Sequence, residues 1–268
     1  MQDLMKGKRG LIMGVANDHS IAWGIAKVLA AQGAELAFTY QGEALGKRVK
    51  PLAEQLGVGT VLPCDVEDIA SVDSVFATLR EKWGGLDFLV HAIGGSDKNE
   101  LRGRYADTTR ENFSRTMLIS CFSFTELARR AAELMPESGG AMITLTFGGS
   151  ERVMPNYNVM GVAKAALEAS VRYLAFDFGR RAIRVNAISA GPVRTLAGSG
   201  IGDARTMFAF MQRNSPLGRG ISLDELGGSA LYLLSDLSTG VTGEIHYVDS
   251  GYNVISMPRP EDLKNTAE

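Results

Sequence analysis

The sequence predicts an α/β fold, a doubly wound parallel sheet of seven strands with helices on both faces. Two observations predict it. Short strand-like segments alternate with helix-like segments along the whole 268-residue chain. The strand-like segments are apolar throughout rather than alternating, as expected for parallel strands that are buried on both faces of a sheet.

The strand-like segments are short apolar runs, most of which end close to glycine, proline or aspartate. They occupy residues 9–14, 34–40, 59–65, 86–94, 141–147, 182–192 and 243–251. The helix-like segments carry apolar residues at helical spacing. They occupy residues 20–33, 44–57, 69–84, 109–135, 155–175 and 223–237. We expect the second helix to be interrupted near Pro51, because proline lacks a backbone N–H and clashes with the preceding turn.

No repeat, low-complexity tract or linker divides the chain, so we expect a single domain over residues 1–268. The longest irregular region, at about residues 195–220, surrounds a short helical segment at residues 203–214. Loops of this length in compact domains often cover binding sites, and this region is therefore the candidate substrate flap.

Charge balance, the apolar run near the first residues and the cysteine spacing argue against several classes of protein. With 28 basic and 30 acidic side chains the net charge is −2, which gives no indication of a nucleic-acid partner. The apolar run near the first residues, at positions 11–13, is too short for a signal peptide or a membrane span. Cys64 and Cys121 form no CxxC pattern, so reduced thiols in a cytoplasmic protein are expected, with no metal site.

Ligands of such sheets bind beyond the carboxyl ends of the strands, so the residues directly after each strand are candidates for a site. Gly14 follows the first strand, and Ser20 and Gly24 lie at the start of the next helix. A glycine at a strand end and the amides of a helix N-terminus favour a pyrophosphate, although the usual GxGxxG fingerprint is absent. Two interpretations stay open at Ser20, namely a dinucleotide site and an ordinary helix cap.

The second and third strands end in residues suited to the adenosine half of a dinucleotide. No acidic residue closes the second strand and no arginine follows it at once, so Gln41 is a neutral partner that favours NADH over NADPH. Asp65 suits an adenine amino group, with Val66 against the ring, but it is equally suited to cap the next helix. His91 lies inside an apolar strand, and we interpret it as a satisfied core histidine.

Two further strand ends offer backbone groups to a ligand. The glycine-rich segment after the fourth strand lets a ligand approach the backbone of Ile93, Gly94 and Ser96. After the sixth strand, the amides of Val193 and Thr195 are placed to hold a carboxamide of the size of nicotinamide's.

The helix after the fifth strand carries Tyr157 and Lys164, seven positions apart. At about 100° per residue this separation returns nearly to the same helical face, so both side chains can line one groove. We expect the lysine charge to lower the pKa of the phenol, whose hydroxyl then stabilises an oxyanion or donates a proton. Viewed alone, an aromatic residue near a cap and a surface lysine are the simpler interpretation.

In combination, these motifs resemble the short-chain dehydrogenase/reductase superfamily, which has a Rossmann-like fold, over about residues 8–254. Within it the chain is similar to the bacterial, NADH-dependent enoyl-acyl-carrier-protein reductases. Six residues separate Tyr157 from Lys164 where most of the superfamily has three, and Gly14-x5-Ser20-x3-Gly24 replaces the glycine-rich turn. The segments ELAFTYQ, CDV, PNYNVMG and RVNAISAGP also match this branch.

The resemblance implies reduction of the 2,3 double bond of a trans-2-enoyl thioester on acyl carrier protein, with NADH as cofactor, in the last step of the fatty-acid elongation cycle. It implies Tyr157 and Lys164 as the catalytic residues, and a homotetramer. Implied contacts with NADH are Gly14, Ser20, Ile21, Gln41, Asp65, Val66, Ile93, Gly94, Lys164, Val193, Thr195, Leu196 and Ala197. Implied contacts with the substrate are Ser96, Phe147, Tyr157 and Met160. An acidic carrier protein would suit a basic rim near the flap, for which the candidates are Arg194, Arg205 and Arg213.

One position departs from many members of this branch. Phe147 stands ten residues before Tyr157, where many members have a second tyrosine and a mycobacterial-type branch has phenylalanine. Tyr157 is then the only phenol at these two motif positions. Two alternatives stay open. One is a short-chain carbonyl reductase, in which a serine from the end of the fifth strand pairs with the tyrosine; Ser150 is close to that region but follows the Gly148-Gly149 turn, and the spacing of Tyr157 and Lys164 does not suit this class. The other is a non-catalytic dinucleotide-binding protein.

Overall fold

The computed structural model describes residues 3–193, 195 and 203–259. Seven strands form one sheet in the order β3-β2-β1-β4-β5-β6-β7, and all neighbouring strands are parallel. The strands are β1 (Arg9–Met13), β2 (Glu35–Tyr40), β3 (Thr60–Pro63), β4 (Phe88–His91), β5 (Gly140–Thr146), β6 (Ile183–Ala190) and β7 (Ile245–Val248). The predicted seven-stranded, doubly wound sheet is confirmed.

Helices cover both faces of this sheet. They are α1 (Ile21–Ala31), α2 (Gly42–Gln55), α3 (Ile69–Trp83), α4 (Arg110–Met117), α5 (Ser123–Leu134), α6 (Asn158–Phe178), α7 (Ala204–Asn214) and α8 (Leu223–Leu234). Within the described ranges, none of the helices combines the length and the apolar character that a membrane span requires.

Successive residues of each strand face two separate hydrophobic cores. In β1, Leu11 and Met13 belong to the core shared with α3, α5 and α6, whereas Ile12 belongs to the core shared with α1, α2 and α8. All three side chains are fully buried. Because both faces of the sheet are covered, apolar residues occur at consecutive strand positions rather than only at every second one.

Two helices differ from the expectation. The predicted interruption at Pro51 is wrong, because α2 continues through this residue. Pro51 is exposed, and its missing N–H removes a single bond from the helix ladder, which the neighbouring turns tolerate. The helix predicted over residues 109–135 contains a π-helical segment, Leu118–Phe122, between α4 and α5. No proline or glycine marks this segment in the sequence.

The helix after β5 begins at Asn158 rather than at Pro155, so Tyr157 stands at its N-cap and not in its first turn. Asn156 and Asn158 flank the tyrosine with positive φ angles of 59° and 38°. Asparagine tolerates this region better than most residues with a Cβ. The tyrosine therefore enters the carboxyl edge of the sheet from a tight turn.

Candidate active site

The strand order reverses between β1 and β4, and the residues after these two strands meet at the carboxyl edge of the sheet. Gly14 follows β1 with a φ of 104°, which side chains with a Cβ rarely adopt. A Cβ at Gly14 would stand 2.1 Å from the carbonyl oxygen of Ala92, directly after β4. The two segments therefore make a close backbone approach that only glycine permits.

Ser20 occupies the N-cap position of α1, but its side chain does not cap the helix. Its hydroxyl instead accepts hydrogen bonds from the backbone N–H groups of Ala16 and Asn17, at 3.0 and 3.1 Å. The first-turn amides of α1 therefore have no side-chain acceptor at the cap, and their partial positive charge favours an anion there. The interpretation of Ser20 as an ordinary side-chain cap is wrong.

The structure brings together the residues predicted for the adenosine half. Gln41 Nε2 donates to Asp65 Oδ2 at 3.0 Å, and Val66 is buried beside them. Asp65 Oδ1 accepts from the N–H of Glu67, while Asp68 caps α3. Asp65 therefore does not cap the following helix, and one of its carboxylate oxygens accepts a hydrogen bond from the exposed Gln41.

Lys164 is a buried residue of α6 that lies at the exit of β4. Its Nζ donates to the carbonyl oxygen of Leu145 at 2.8 Å. A Cβ built on Gly94 would lie 3.7 Å from this Nζ and 3.6 Å from Cε of Met160. Burial lowers the pKa of Lys164 to about 8, although the charge of Glu168 acts in the opposite direction. The ammonium group is thus placed where a ligand on Gly94 would meet it.

Tyr157 is 7% exposed and packs edge-on against Phe147, with ring centroids 5.2 Å apart and an interplanar angle of 74°. Within the described part of the chain its hydroxyl has no hydrogen-bond partner. The hydroxyl oxygen nevertheless keeps some contact with solvent. Burial, followed by the charge of Glu168, raises the pKa of the phenol above its ordinary value. The expectation that Lys164 lowers this pKa is therefore wrong, and the phenol keeps its proton at neutral pH.

Three of the four predicted substrate residues lie in one apolar cluster, which contains Phe147, Tyr157 and Met160. The fourth, Ser96, is held separately at the exit of β4. Its hydroxyl donates to Asn112 Oδ1 at 3.2 Å and accepts from Thr116 Oγ1 at 2.8 Å. Ile21 and Ile93 are half-buried at the same edge, against the two hydrophobic cores.

The residues after β6 are only partly described. Val193 packs against the core of α1 and α8, and Thr195 is half-buried. The predicted contacts Leu196 and Ala197, the rim candidate Arg194 and flap residues 198–202 lie outside the described residues. The other two rim candidates, Arg205 and Arg213, are exposed on α7, which forms the helical segment predicted inside this region.

His91 is a satisfied core histidine, as predicted. Ser123 Oγ donates its proton to the carbonyl oxygen of Ile119, so it accepts from His91 Nε2 at 2.9 Å. His91 Nδ1 then accepts from Thr144 Oγ1 at 2.8 Å. Burial, followed by the charge of Lys164, lowers the pKa of His91 to about 3, so the ring is neutral.

One edge of the sheet thus combines the close backbone approach at Gly14, a helix N-terminus without a side-chain cap, a buried lysine, and a phenol with no hydrogen-bond partner among the described residues. A family model described as "Enoyl-(Acyl carrier protein) reductase" matches residues 14–253. The chain belongs to the enoyl-acyl-carrier-protein reductase family. This confirms the family expected from the resemblance of the combined motifs and matching segments.

Individual members of this family match nearly the whole length of the chain. A protein of Rhizobium meliloti (strain 1021), "Enoyl-[acyl-carrier-protein] reductase [NADH] 2", is 75% identical over 98% of each chain. The crystal structure of FabI from Candidatus Liberibacter asiaticus has a TM-score of 0.94 at 64% identity, covering 97% of this chain and all of that one. An Anaplasma phagocytophilum enoyl-acyl-carrier-protein reductase, solved in complex with NAD, has a TM-score of 0.93 at 59% identity, covering 97% of this chain and 98% of that one.

The sequence did not predict two polar features of this reductase site. Asn112, Thr116 and Ser120 are buried polar residues spaced four apart on one helix, a regular signal within a segment that otherwise looks mostly apolar. Glu168 is also buried, and it accepts a hydrogen bond from Thr146 Oγ1 at 2.6 Å. Its position four residues after Lys164 was the available signal, since residues at this spacing share a helix face.

Proposed function

We propose that the protein reduces the 2,3 double bond of trans-2-enoyl thioesters carried by acyl carrier protein, with NADH as hydride donor. This is the last step of the fatty-acid elongation cycle. The observation that carries the proposal is the Tyr157 hydroxyl, which has no hydrogen-bond partner among the described residues, is protonated, and lies on the same edge of the sheet as the buried Lys164. Family membership supports the reaction, and the relatives' names support NADH.

The residues at the carboxyl edge fit a dinucleotide. A Cβ at Gly14 would collide with Ala92, so glycine is what allows the segments after β1 and β4 to lie close together at the edge where a pyrophosphate would bind. The amides at the start of α1 would bind that anion, with Ser20 fixing the preceding loop. NADH, when bound, supplies the hydride for the β-carbon of the substrate. The Asp65 carboxylate at the adenosine end disfavours a further phosphate, which supports NADH over NADPH.

The Tyr157 hydroxyl would donate a hydrogen bond to the thioester oxygen as negative charge develops on it. Because burial holds the proton on the phenol, the donor is present throughout the neutral range. The bond strengthens as charge accumulates, so it stabilises the transition state more than the bound substrate. Phe147, edge-on to this ring, provides an apolar wall and no second donor.

Lys164 would hold the ribose and keep the local field positive. An ammonium group has three donors, and the carbonyl oxygen of Leu145 takes one of them. The remaining N–H groups are available to ribose hydroxyls. The positive charge also stabilises negative charge on the substrate oxygen in this low-dielectric environment.

The deciding experiment compares crotonyl thioester with acetoacetyl thioester, each with NADH and with NADPH, by following oxidation of the nicotinamide. We expect fast oxidation of NADH with the crotonyl thioester alone. Preference for the acetoacetyl thioester would support the carbonyl reductase, although no hydrogen bond among the described residues joins Ser150 to Tyr157. Binding of NADH without turnover of either thioester would support the non-catalytic alternative.

We further propose a cytoplasmic homotetramer. In support, Val162, Tyr173 and Phe176 form an exposed apolar row on α6, and such patches mark protein–protein contacts. Light scattering on a size-exclusion column should give four times the chain mass of 28.7 kDa. A monomer at micromolar concentration would contradict this assembly.

We also propose that residues 195–220 form the substrate flap and that its arginines meet the acidic carrier protein. Arg205 and Arg213 are exposed on α7, on the described part of this segment. Arg205→Glu should raise KM for enoyl-acyl carrier protein and leave KM for a free crotonyl thioester unchanged. Equal effects on both substrates would exclude a role in docking.

A further inference from the structure

The helix formed by α4, the π-helical segment and α5 holds the segment that follows β4. Asn112 Oδ1 accepts from the N–H of Asp97 at 3.0 Å, and Thr116 Oγ1 donates to Ser96 Oγ at 2.8 Å. Both side chains are buried. Successive polar side chains along this helix therefore bind successive residues of the segment after β4, and the segment runs antiparallel to the helix.

Ser120, fully buried, makes the next contact in this row. Its Oγ accepts from the N–H of Gly95 at 3.0 Å and donates to the carbonyl oxygen of the same residue at 3.0 Å. One hydroxyl therefore fixes the two peptide groups on either side of the Gly95 Cα. Met160 Sδ, at 3.5 Å, is a second acceptor for the same proton.

The two hydrogen bonds between Ser120 and Gly95, called the Ser120 clamp, act at a point where the backbone has little conformational restriction of its own. Gly94 and Gly95 are consecutive glycines, which have the widest range of backbone conformations and no side chain with which to anchor themselves. Gly94 is also the point at which Met160, Lys164 and Ser120 converge, within 3.6 to 3.8 Å of a Cβ built there. An external clamp is therefore what sets the distance between this backbone and the ammonium group of Lys164.

Ser120 lies within the π-helical segment. Ser120 is the central residue of Leu118–Phe122. A π turn has wider hydrogen-bond spacing than an α turn, which inserts a residue and rotates the side chains that follow it. Ser120 binds Gly95, and Ser123, three positions later on the same helix, binds His91.

We propose that Ser120 is a positioning residue for cofactor binding, which sets the Gly94–Gly95 backbone against Lys164. The inference rests on the proposed function for the identity of the cofactor. Ser120 itself acts through Gly95 and touches no reacting atom. Its loss should raise the KM for NADH and leave kcat nearly unchanged, since the held backbone binds the cofactor equally in the ground and transition states.

The test compares Ser120→Ala with Ser123→Ala, by calorimetric titration with NADH in the absence of enoyl substrate and by thermal unfolding. Ser123 is a matched control, because it is equally buried on the same helix but binds the core residue His91. Both variants lose a buried hydroxyl and should unfold at similarly lowered temperatures. Ser120→Ala alone should bind NADH about tenfold more weakly, as expected for a buried N–H and C=O left unpaired.

The proposal would be overturned if both folded variants bound NADH as tightly as the wild type. It would also be overturned if both lost the same amount of NADH affinity. If Ser120→Ala does not fold, Ser120→Cys keeps a weaker donor and acceptor at the same place, and its affinity should lie below that of the wild type and of Ser123→Ala. Wild-type affinity in Ser120→Cys would also overturn it. Failure of the wild type to bind NADH would refute the proposed function, whereas failure of the difference between variants refutes only the role of Ser120.

Discussion

Replacing Tyr157 by phenylalanine removes one hydroxyl and keeps the ring, so it separates the proposed chemistry from packing. The edge-on contact with Phe147, at 5.2 Å between ring centroids, is retained in this variant. Because the hydroxyl bonds to no described residue, its removal should change the free energy of unfolding by less than about 0.5 kcal/mol. Loss of the proposed phenol donor to a developing oxyanion should lower kcat/KM by about 10²–10³-fold, or about 2.7–4 kcal/mol.

The assay follows NADH absorbance with crotonyl thioester, and NADH affinity is measured separately by calorimetry. We expect unchanged NADH affinity in Tyr157→Phe, since the lost bond belongs to the substrate. Phe147→Leu is the control, because it weakens the ring contact and keeps the phenol, and it should lose much less activity. Wild-type turnover in Tyr157→Phe would refute the assignment of the phenol. Lost NADH binding or a lowered unfolding temperature would instead indicate a structural role.

Three further outcomes follow from the same edge of the sheet. Burial lowers the pKa of Lys164 to about 8, so its ammonium group loses a proton as pH rises through this value. The value of kcat/KM for NADH should therefore fall above pH 8. A profile that stays flat well beyond pH 8 would contradict this. Gly14→Ala should abolish NADH binding in calorimetry and destabilise the fold in urea, because φ is 104° and Cβ meets the Ala92 oxygen at 2.1 Å; the backbone strain alone costs about 1–3 kcal/mol. The folded-state pKa of His91 is about 3 and its ordinary value is 6.5, so below pH 6.5 the unfolded state takes up the proton first. Stability should therefore fall as pH falls toward 3, by up to about 1.4 kcal/mol per pH unit from this group, and a His91→Asn variant should show a shallower slope in denaturant titrations.

The fold could be predicted because its strongest signal is local. Each strand of a sheet covered on both faces is an apolar run, and the runs are separated by amphipathic helices. The interruption expected at Pro51 did not occur, since a single missing hydrogen bond on an exposed turn is outweighed by the packing of Val49 and Ala53. The π-helical segment Leu118–Phe122 was not predicted, because no proline or glycine marks it, and the hydrogen bond of its Ser120 to the distant Gly95 is visible only in the tertiary structure.

The candidate site could be predicted as a set of positions but not as an electrostatic environment. Strand ends predicted Gly14 and Asp65, the resemblance of the combined motifs predicted Tyr157 and Lys164, and the structure brings these residues to one edge of the sheet. The direction of the phenol's pKa shift was wrong because burial and the charge of Glu168 decide it, and neither follows from the distance along the chain to a lysine. Burial is a property of the assembled layers, so it became visible only with the tertiary structure.

The hydrogen bond from Lys164 to the Leu145 carbonyl also bears on the entropy of binding. A free lysine side chain samples many rotamers, and immobilising such a chain on binding costs about 0.5–1.5 kcal/mol. In this fold the side chain is buried and tethered at 2.8 Å before any ligand arrives, so folding has already removed that freedom. A ligand that meets this ammonium group would thus bind up to about tenfold more tightly than it would to the same lysine on a mobile surface.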